Sequence, residues 1–289
     1  MRSSVIYNEG MLIDTHCHLH DLEWFTPEQQ IDFLDSAHSH DVEKIICIGT
    51  NHEDSLNARD FALPHDGVYW TYGIHPEFAN QPGLSVMSEA LSFWESPEAT
   101  AEDEAARHPQ RRAGATACPK KINDPDITEK LVAIGEIGLD YHYDGYDRIA
   151  QIKLFEQMLQ LAVDNDLPVS MHIREAFPDA FAIIDNFPQI KGVVHSFTGS
   201  KRQLCQALER GLYIGVNGLA TYSTLPMPPL ERIVLETDAP FLTPVPFRGT
   251  INKPEYVQQV AAYLAEKLGV AEVNIVEQTT QNARQLFQI

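Results

Sequence analysis

The sequence predicts an α/β fold, a TIM (β/α)8 barrel. Three observations lead there: eight short β-rich runs, amphipathic segments between them, and polar, chemically active side chains gathered at the ends of the runs. The runs span residues 11–16, 43–49, 68–75, 131–135, 168–172, 192–195, 212–216 and 232–238. Eight strands separated by crossovers are the number that closes a parallel sheet on itself. A chain of 289 residues, 44% of them hydrophobic, is long enough to bury one core of that size.

The segments between the runs carry helix signals of their own. Thr26-Pro27-Glu28-Gln29 places a capping hydroxyl, a proline at the first helical position and a glutamine that completes a capping box. Ile31, Leu34 and Ala37 follow at near-helical spacing, and Ile152, Phe155, Leu159 and Ala162 repeat the pattern after the fourth run. Ser200 opens a later helix and Gly211 closes it. After the seventh run, Pro226, Pro228 and Pro229 oppose the helix a regular barrel would place there.

Composition narrows the function. Lys and Arg total 21 against 41 Asp and Glu, a net charge of -20, which excludes a protein that holds nucleic acid by counterion release alone. Any polyanion must be captured locally, and bound divalent cations can override the surrounding field to do so. Cys17, Cys47, Cys118 and Cys205 form no C-x-x-C pair, so neither a zinc knuckle nor a disulfide framework is indicated, and a reducing cytoplasm is the expected setting. Residues 1–10 read as a tail ahead of a single domain over 11–289, with no signal peptide, membrane span or obligate protein partner evident.

His16, His75, His172, His195 and Asp238 all fall at the ends of runs, and Glu136 falls just after one. In a β/α barrel those ends form one mouth, so the six converge. His16 and His18 lie two residues apart in extended chain, on one face and roughly 7 Å apart, close enough to grip one ion between them. Cys17 points the other way and reads as a small buried residue. His20 falls beyond the strand and reads as either a support for the site or a surface histidine.

Six motifs carry a resemblance. Asp14-Thr15-His16-Cys17-His18-Leu19, Tyr72-Gly73-Ile74-His75-Pro76, Ile134-Gly135-Glu136-Ile137-Gly138-Leu139-Asp140-Tyr141, His172-Ile173-Arg174-Glu175-Ala176, His195-Ser196-Phe197-Thr198-Gly199 and Glu236-Thr237-Asp238-Ala239-Pro240 resemble, in order, the motifs of the TatD family. That resemblance implies a barrel of the metal-dependent hydrolase type that hydrolyses DNA, as a 3′ to 5′ exonuclease on single strands or 3′ ends. It makes His16, His18, Glu136 and Asp238 ligands of one divalent ion and Glu136, His172 and His195 ligands of a second, with Glu136 as the bridge. Asp238 becomes the base and Glu236 a support for a ligand histidine. A shared carboxylate can hold two cations about 3.5 to 4 Å apart, the spacing two-metal phosphoryl chemistry uses. The ligand set suits Zn or Mn, while Mg suits a phosphodiester substrate.

His75, Arg174 and Arg248 are the candidates for binding substrate phosphate. Near Arg248 the family pattern is imperfect, since relatives usually carry a lysine where this chain has Thr250. Two other classes fit parts of the pattern: an amidohydrolase or esterase acting on a small substrate, and a catalytically silent barrel serving as a binding protein. The first usually bridges its metals with a carbamylated lysine where this chain has Glu136, and the second predicts missing ligands.

Residues 98–126, rich in Ala, Pro and charge, interrupt the crossover before the fourth run and read as a flexible surface insert. Replacing them with a short Gly/Ser linker is expected to leave hydrolysis of a small phosphodiester nearly unchanged. Longer DNA should lose contacts with Arg107, Arg111, Arg112, Lys120 and Lys121, read as a flatter salt dependence of binding. Abolished cleavage of the small diester would instead place the insert in the active site.

Overall fold

The computed structural model describes residues 11–80 and 128–289, so the tail and the insert lie outside the described residues. Eight parallel strands pair in chain order: β1 (Leu12–Cys17), β2 (Val42–Cys47), β3 (Val68–Tyr72), β4 (Leu131–Asp140), β5 (Val169–Arg174), β6 (Gly192–Val194), β7 (Tyr213–Val216) and β8 (Ile233–Leu235). Ladder bonds join β1 through β8 side by side, and the seam between β8 and β1 is closed by residues at and just past the strand ends. Thr15 Oγ1 donates to Leu235 O at 2.9 Å, Asp238 N to His16 O at 2.8 Å and His18 N to Ala239 O at 2.7 Å. The barrel predicted from the sequence is therefore the fold observed.

The helices among the described residues are α1 (Pro27–Ser39), α2 (His52–Ala62), α3 (Arg148–Asn165), α4 (Phe177–Ile184) and α5 (Lys201–Glu209) between strands, then α6 (Val257–Leu268) and α7 (Glu272–Phe287) after β8. Both capping boxes form, Thr26 with Gln29 and Ser200 with Gln203, giving each helix start reciprocal partners for its free N–H groups. The buried face of α1 is Gln30, Leu34 and Ala37. Ile31, expected on that face, is 42% exposed, because one residue is about 100° of helical turn and the face is set by position 30. After β7 there is only a 3-10 turn (Gly218–Thr221) before the proline-rich stretch reaches a second one (Leu230–Arg232), as the three prolines require.

Two apolar layers follow from strand alternation. Ile46, Ile48, Val193, Tyr213 and Val234 form one buried cluster with Ala283, Leu286 and Phe287, so the end of α7 packs against the interior at the end away from the mouth. Their neighbours Ile45, Cys47, Trp70, Val194, Ile214 and Leu235 belong to the outer layer, with Leu34, Phe155, Leu159 and Leu264 from the helices. Among the described residues no helix is long and apolar enough to cross a membrane.

β4 runs further than the sequence reading allowed. Rather than ending at Gly135 it continues to Asp140, pairing Ile137 with Met171, Gly138 with His172 and Asp140 with Arg174. A glycine is needed at 138: φ is +144°, and a Cβ there would sit 1.9 Å from the carbonyl oxygen of His172. Glu136 is thereby an inward residue of the strand rather than a loop residue after it.

Lys130, just before β4, ties the end of α2 to the barrel by donating from Nζ to the carbonyls of Ala62, Leu63 and His65 at 2.9, 3.1 and 2.7 Å. These carbonyls lie at and just past the helix end, where few helical N–H groups remain to pair with them, and a cation there also opposes the helix dipole. Lys130→Met should lower stability by about 1–3 kcal/mol, seen as an earlier urea midpoint with an unchanged slope.

Candidate metal centre

At the mouth, β1 presents Asp14, His16 and His18 on one face, β4 presents Glu136 and Asp140, β5 His172, the end of β6 His195, and the end of β8 Glu236 and Asp238. Glu136 stands at the centre and divides its two oxygens. Oε2 faces His16 Nε2 at 3.6 Å, while Oε1 faces His172 Nδ1 at 2.9 Å, His195 Nε2 at 3.3 Å and His75 Nε2 at 3.8 Å. Asp238 Oδ1 completes the first side, 3.7 Å from His16 Nε2 and 3.6 Å from His18 Nε2.

Three overlapping groups of donors could each hold a cation: His16, His18 and Glu136; His16, His195 and Asp238; His75, Glu136 and His172. Donors each about 2.1 Å from a tetrahedral ion lie about 3.4 Å apart, which the separations around Glu136 and Asp238 match. A second observation points the same way. His16 Nε2 is fully buried and has no hydrogen-bond partner in the protein, a costly condition unless a cation takes its lone pair. His18 Nδ1 lies 3.0 Å from Ile48 O, so this nitrogen carries the proton and Nε2 is left to face Asp238. The residues present therefore fit divalent metal ions.

Electrostatics follow from burying acids and imidazoles together. Burial would raise Glu136, but His195, with the nearby imidazoles of His16 and His172, holds it well below the usual carboxylate range. Burial opposes charge on Asp238 too, and His18 with the neighbouring imidazoles keeps it low. Burial, helped by the neighbouring His172 and His195 and opposed by Glu136 and Asp140, pushes His75 down to about 3, so its imidazole is neutral. His195 is raised against burial by Glu136 and Glu236.

Around this cluster other residues hold the parts in place. Glu236 Oε1 accepts from Ser196 N at 2.7 Å and Asn217 Nδ2 at 3.2 Å, and stands 3.4 Å from His195 Nδ1 without completing a hydrogen bond. Gly215 makes room for it, since a Cβ there would lie 2.2 Å from Glu236 Oε2. Asp238 adopts φ +59°, an uncommon conformation for a non-glycine residue, with its N–H bound to His16 O and its carbonyl to Phe241 N.

Sequence reading missed Asp14 and Asp140. Asp14 accepts from Thr237 Oγ1 at 2.6 Å, Thr237 N at 2.9 Å and His16 N at 3.3 Å, clamping β8 to β1 directly beneath the donors. Burial pushes its carboxyl up to about 8 against the pull of those bonds. Asp140 Oδ2 meets His172 Nε2 at 3.0 Å, so both nitrogens of His172 are engaged. Strand alternation from His16 and from Glu136 was the available signal for both acids.

His20, which the sequence left between a support and a surface role, is buried, with Nε2 2.9 Å from Asp54 Oδ1. Burial works against its protonation, yet Asp54 and Cys47 raise it to about 10. His75, read as a phosphate contact, stands inside the donor cluster. Arg174 and Arg248 stand outside it. Arg174 lies over the Tyr143 ring at 5.2 Å and Arg248 over Tyr222 at 3.8 Å, and among the described residues neither forms an ion pair.

Glu136→Gln, which keeps the shape and removes the charge both sides share, is expected to weaken cation uptake at least tenfold, as losing one partner in a metal site commonly does. Calorimetric titration of metal-stripped protein with Zn or Mn would show it. Wild-type affinity and stoichiometry in the variant would exclude Glu136 from the site.

The comparisons agree with this geometry. The family model described as TatD related DNase matches residues 13–288. The metal-dependent hydrolase YabD of Bacillus subtilis is 31% identical over 288 residues, covering 96% of this chain and all of that protein. The 3′-5′ ssDNA/RNA exonuclease TatD of Citrobacter rodentium is 29% identical over 267 residues, covering 88% and 89%. The crystal structure of the TatD homologue YjjV of Escherichia coli superposes with a TM-score of 0.76 at 27% identity, over 96% of this chain and 98% of that one. A barrel whose mouth gathers these histidines and carboxylates, matched along nearly its full length, belongs to the TatD family of metal-dependent hydrolases.

Proposed function

We propose that the protein is a two-metal deoxyribonuclease acting as a 3′ to 5′ exonuclease on single-stranded DNA. The observation that carries this reading is the split of Glu136: one carboxylate offers an oxygen to each of two adjacent donor groups, the arrangement a two-ion phosphodiesterase needs. The name of the Citrobacter rodentium relative supports the substrate and the direction. When bound, the cations (Zn, Mn or Mg) supply Lewis acidity toward the phosphoryl group and make water more acidic.

The chain's own residues do the rest. His16, His18, Glu136 and Asp238 hold one ion, and Glu136, His172 and His195 the other. Asp238, with 13% of its side chain open to solvent against 6% for Glu136, is the more accessible carboxylate of the donor set, and it takes the proton as the water attacks phosphorus. Its depressed pKa keeps it ready to accept. His75, as a neutral imidazole, and the guanidinium groups of Arg174 and Arg248 hold phosphate oxygens. Glu236 orients His195 from behind.

Asp238→Asn retains the backbone bonds of the seam and removes the base. Turnover on a labelled single-stranded oligonucleotide is expected to fall about 10²-fold or more at saturating metal with the barrel still folded. Product ladders from 5′-labelled strands should shorten from the 3′ end. A fall of only a few fold with normal metal content would remove Asp238 from the role of base, and internal cuts from the earliest time points would remove the exonuclease assignment.

A further inference from the structure

Two large aromatic side chains beside the donor cluster are left open to solvent. Trp24, in the loop from β1 to α1, is 46% exposed, and Phe241, in the loop after β8, is 44% exposed. Both loops leave strand ends at the mouth. The two rings meet edge to face, with centroids 5.2 Å apart and planes at 79°, and the Phe241 ring lies 6.3 Å from the ring of His18. A pair at that angle forms a corner with one floor and one wall. Such a corner accepts a single flat ring, laid on one aromatic face with its rim against the other.

We propose that Trp24 and Phe241 form a stacking site for one unpaired nucleobase of a single-stranded nucleic acid, whose backbone then lies over the donor cluster. The inference rests on the nuclease reading given above and adds what the strand is gripped by besides its phosphates. Charge favours this occupant over an apolar peptide. In a chain of net charge -20, Arg248 lies on Tyr222 in a neighbouring loop of the same mouth and, among the described residues, has no carboxylate partner. An anion is thus the ligand for which the rim is prepared, and a base attached to a phosphate satisfies both surfaces. Stacking on aromatic side chains is tolerant of sequence, because every base has a π face. Within a duplex both faces of an internal base are already covered, so the corner selects unpaired ends.

The test is equilibrium binding to the full-length, metal-loaded protein by fluorescence anisotropy. The probes are a labelled phosphorothioate octathymidylate, which resists hydrolysis, and an abasic oligomer with the same backbone. Wild type should bind the thymidylate about 5-fold or more tightly than the abasic strand. Trp24→Ala and Phe241→Ala should each lose most of that preference with abasic binding unchanged, while Trp24→Phe should keep most of it. Both residues are exposed, so folding is not at stake. Equal binding of both strands by wild type, or equal losses on both in the variants, would overturn the stacking site and leave the phosphate grip standing. Failure of both strands to bind would overturn this site together with the nucleic-acid reading beneath it.

Discussion

Glu136 keeps a full negative charge where water scarcely reaches it, and much of the mouth is organised around that constraint. A buried carboxylate is tolerated only with opposite charge or strong donors close by, and here they arrive from four strand ends. His16, His75, His172 and His195 crowd one carboxylate, and two of these rings, His16 and His195, stack with centroids 3.7 Å apart. Burial, and then repulsion from the neighbouring His195, depress His16, while the acids pull His195 and His172 the other way. Protons alone therefore neutralise the cluster poorly. Cations, shared between nitrogen and oxygen donors, satisfy the acids and the lone pairs together.

An acidic protein proposed to act on a polyanion is a contradiction only if charge is averaged over the surface. Six of the described arginines show two different placements. Arg59, Arg148, Arg210 and Arg284 sit in ion pairs on the outside of the barrel, whereas Arg174 and Arg248 lie on tyrosine rings at the mouth. Resting a guanidinium on a ring restricts its motion without neutralising it, so its donors stay available to an incoming anion.

The sequence made the barrel legible through its eight runs, and it made the cluster of histidines and carboxylates at the mouth legible because most of them fall at or next to the end of a run. Its failures have physical causes. Gly135 and Gly138 looked like the end of a strand, yet the glycines permit close approach of β5 and the strand continues through them to Asp140. Ile31 is apolar but sits a step away from the face that Gln30, Leu34 and Ala37 define. The clamp from Asp14 to Thr237 and the corner of Trp24 with Phe241 join the two ends of the barrel. No local pattern signals such contacts, which exist only once β8 has come round to β1.

That closing seam separates two properties of one residue. The backbone of Asp238 is hydrogen-bonded to β1 through its N–H and to Phe241 through its carbonyl, while its carboxylate reaches outward past the last ladder pair. Folding acts on the peptide groups at this position and the proposed chemistry on the side chain, with little shared between them. A barrel joined in this manner can exchange the reacting group at its final strand and remain a barrel. One scaffold could in that way lose or change its reaction by a single side-chain replacement, with the architecture left as it was.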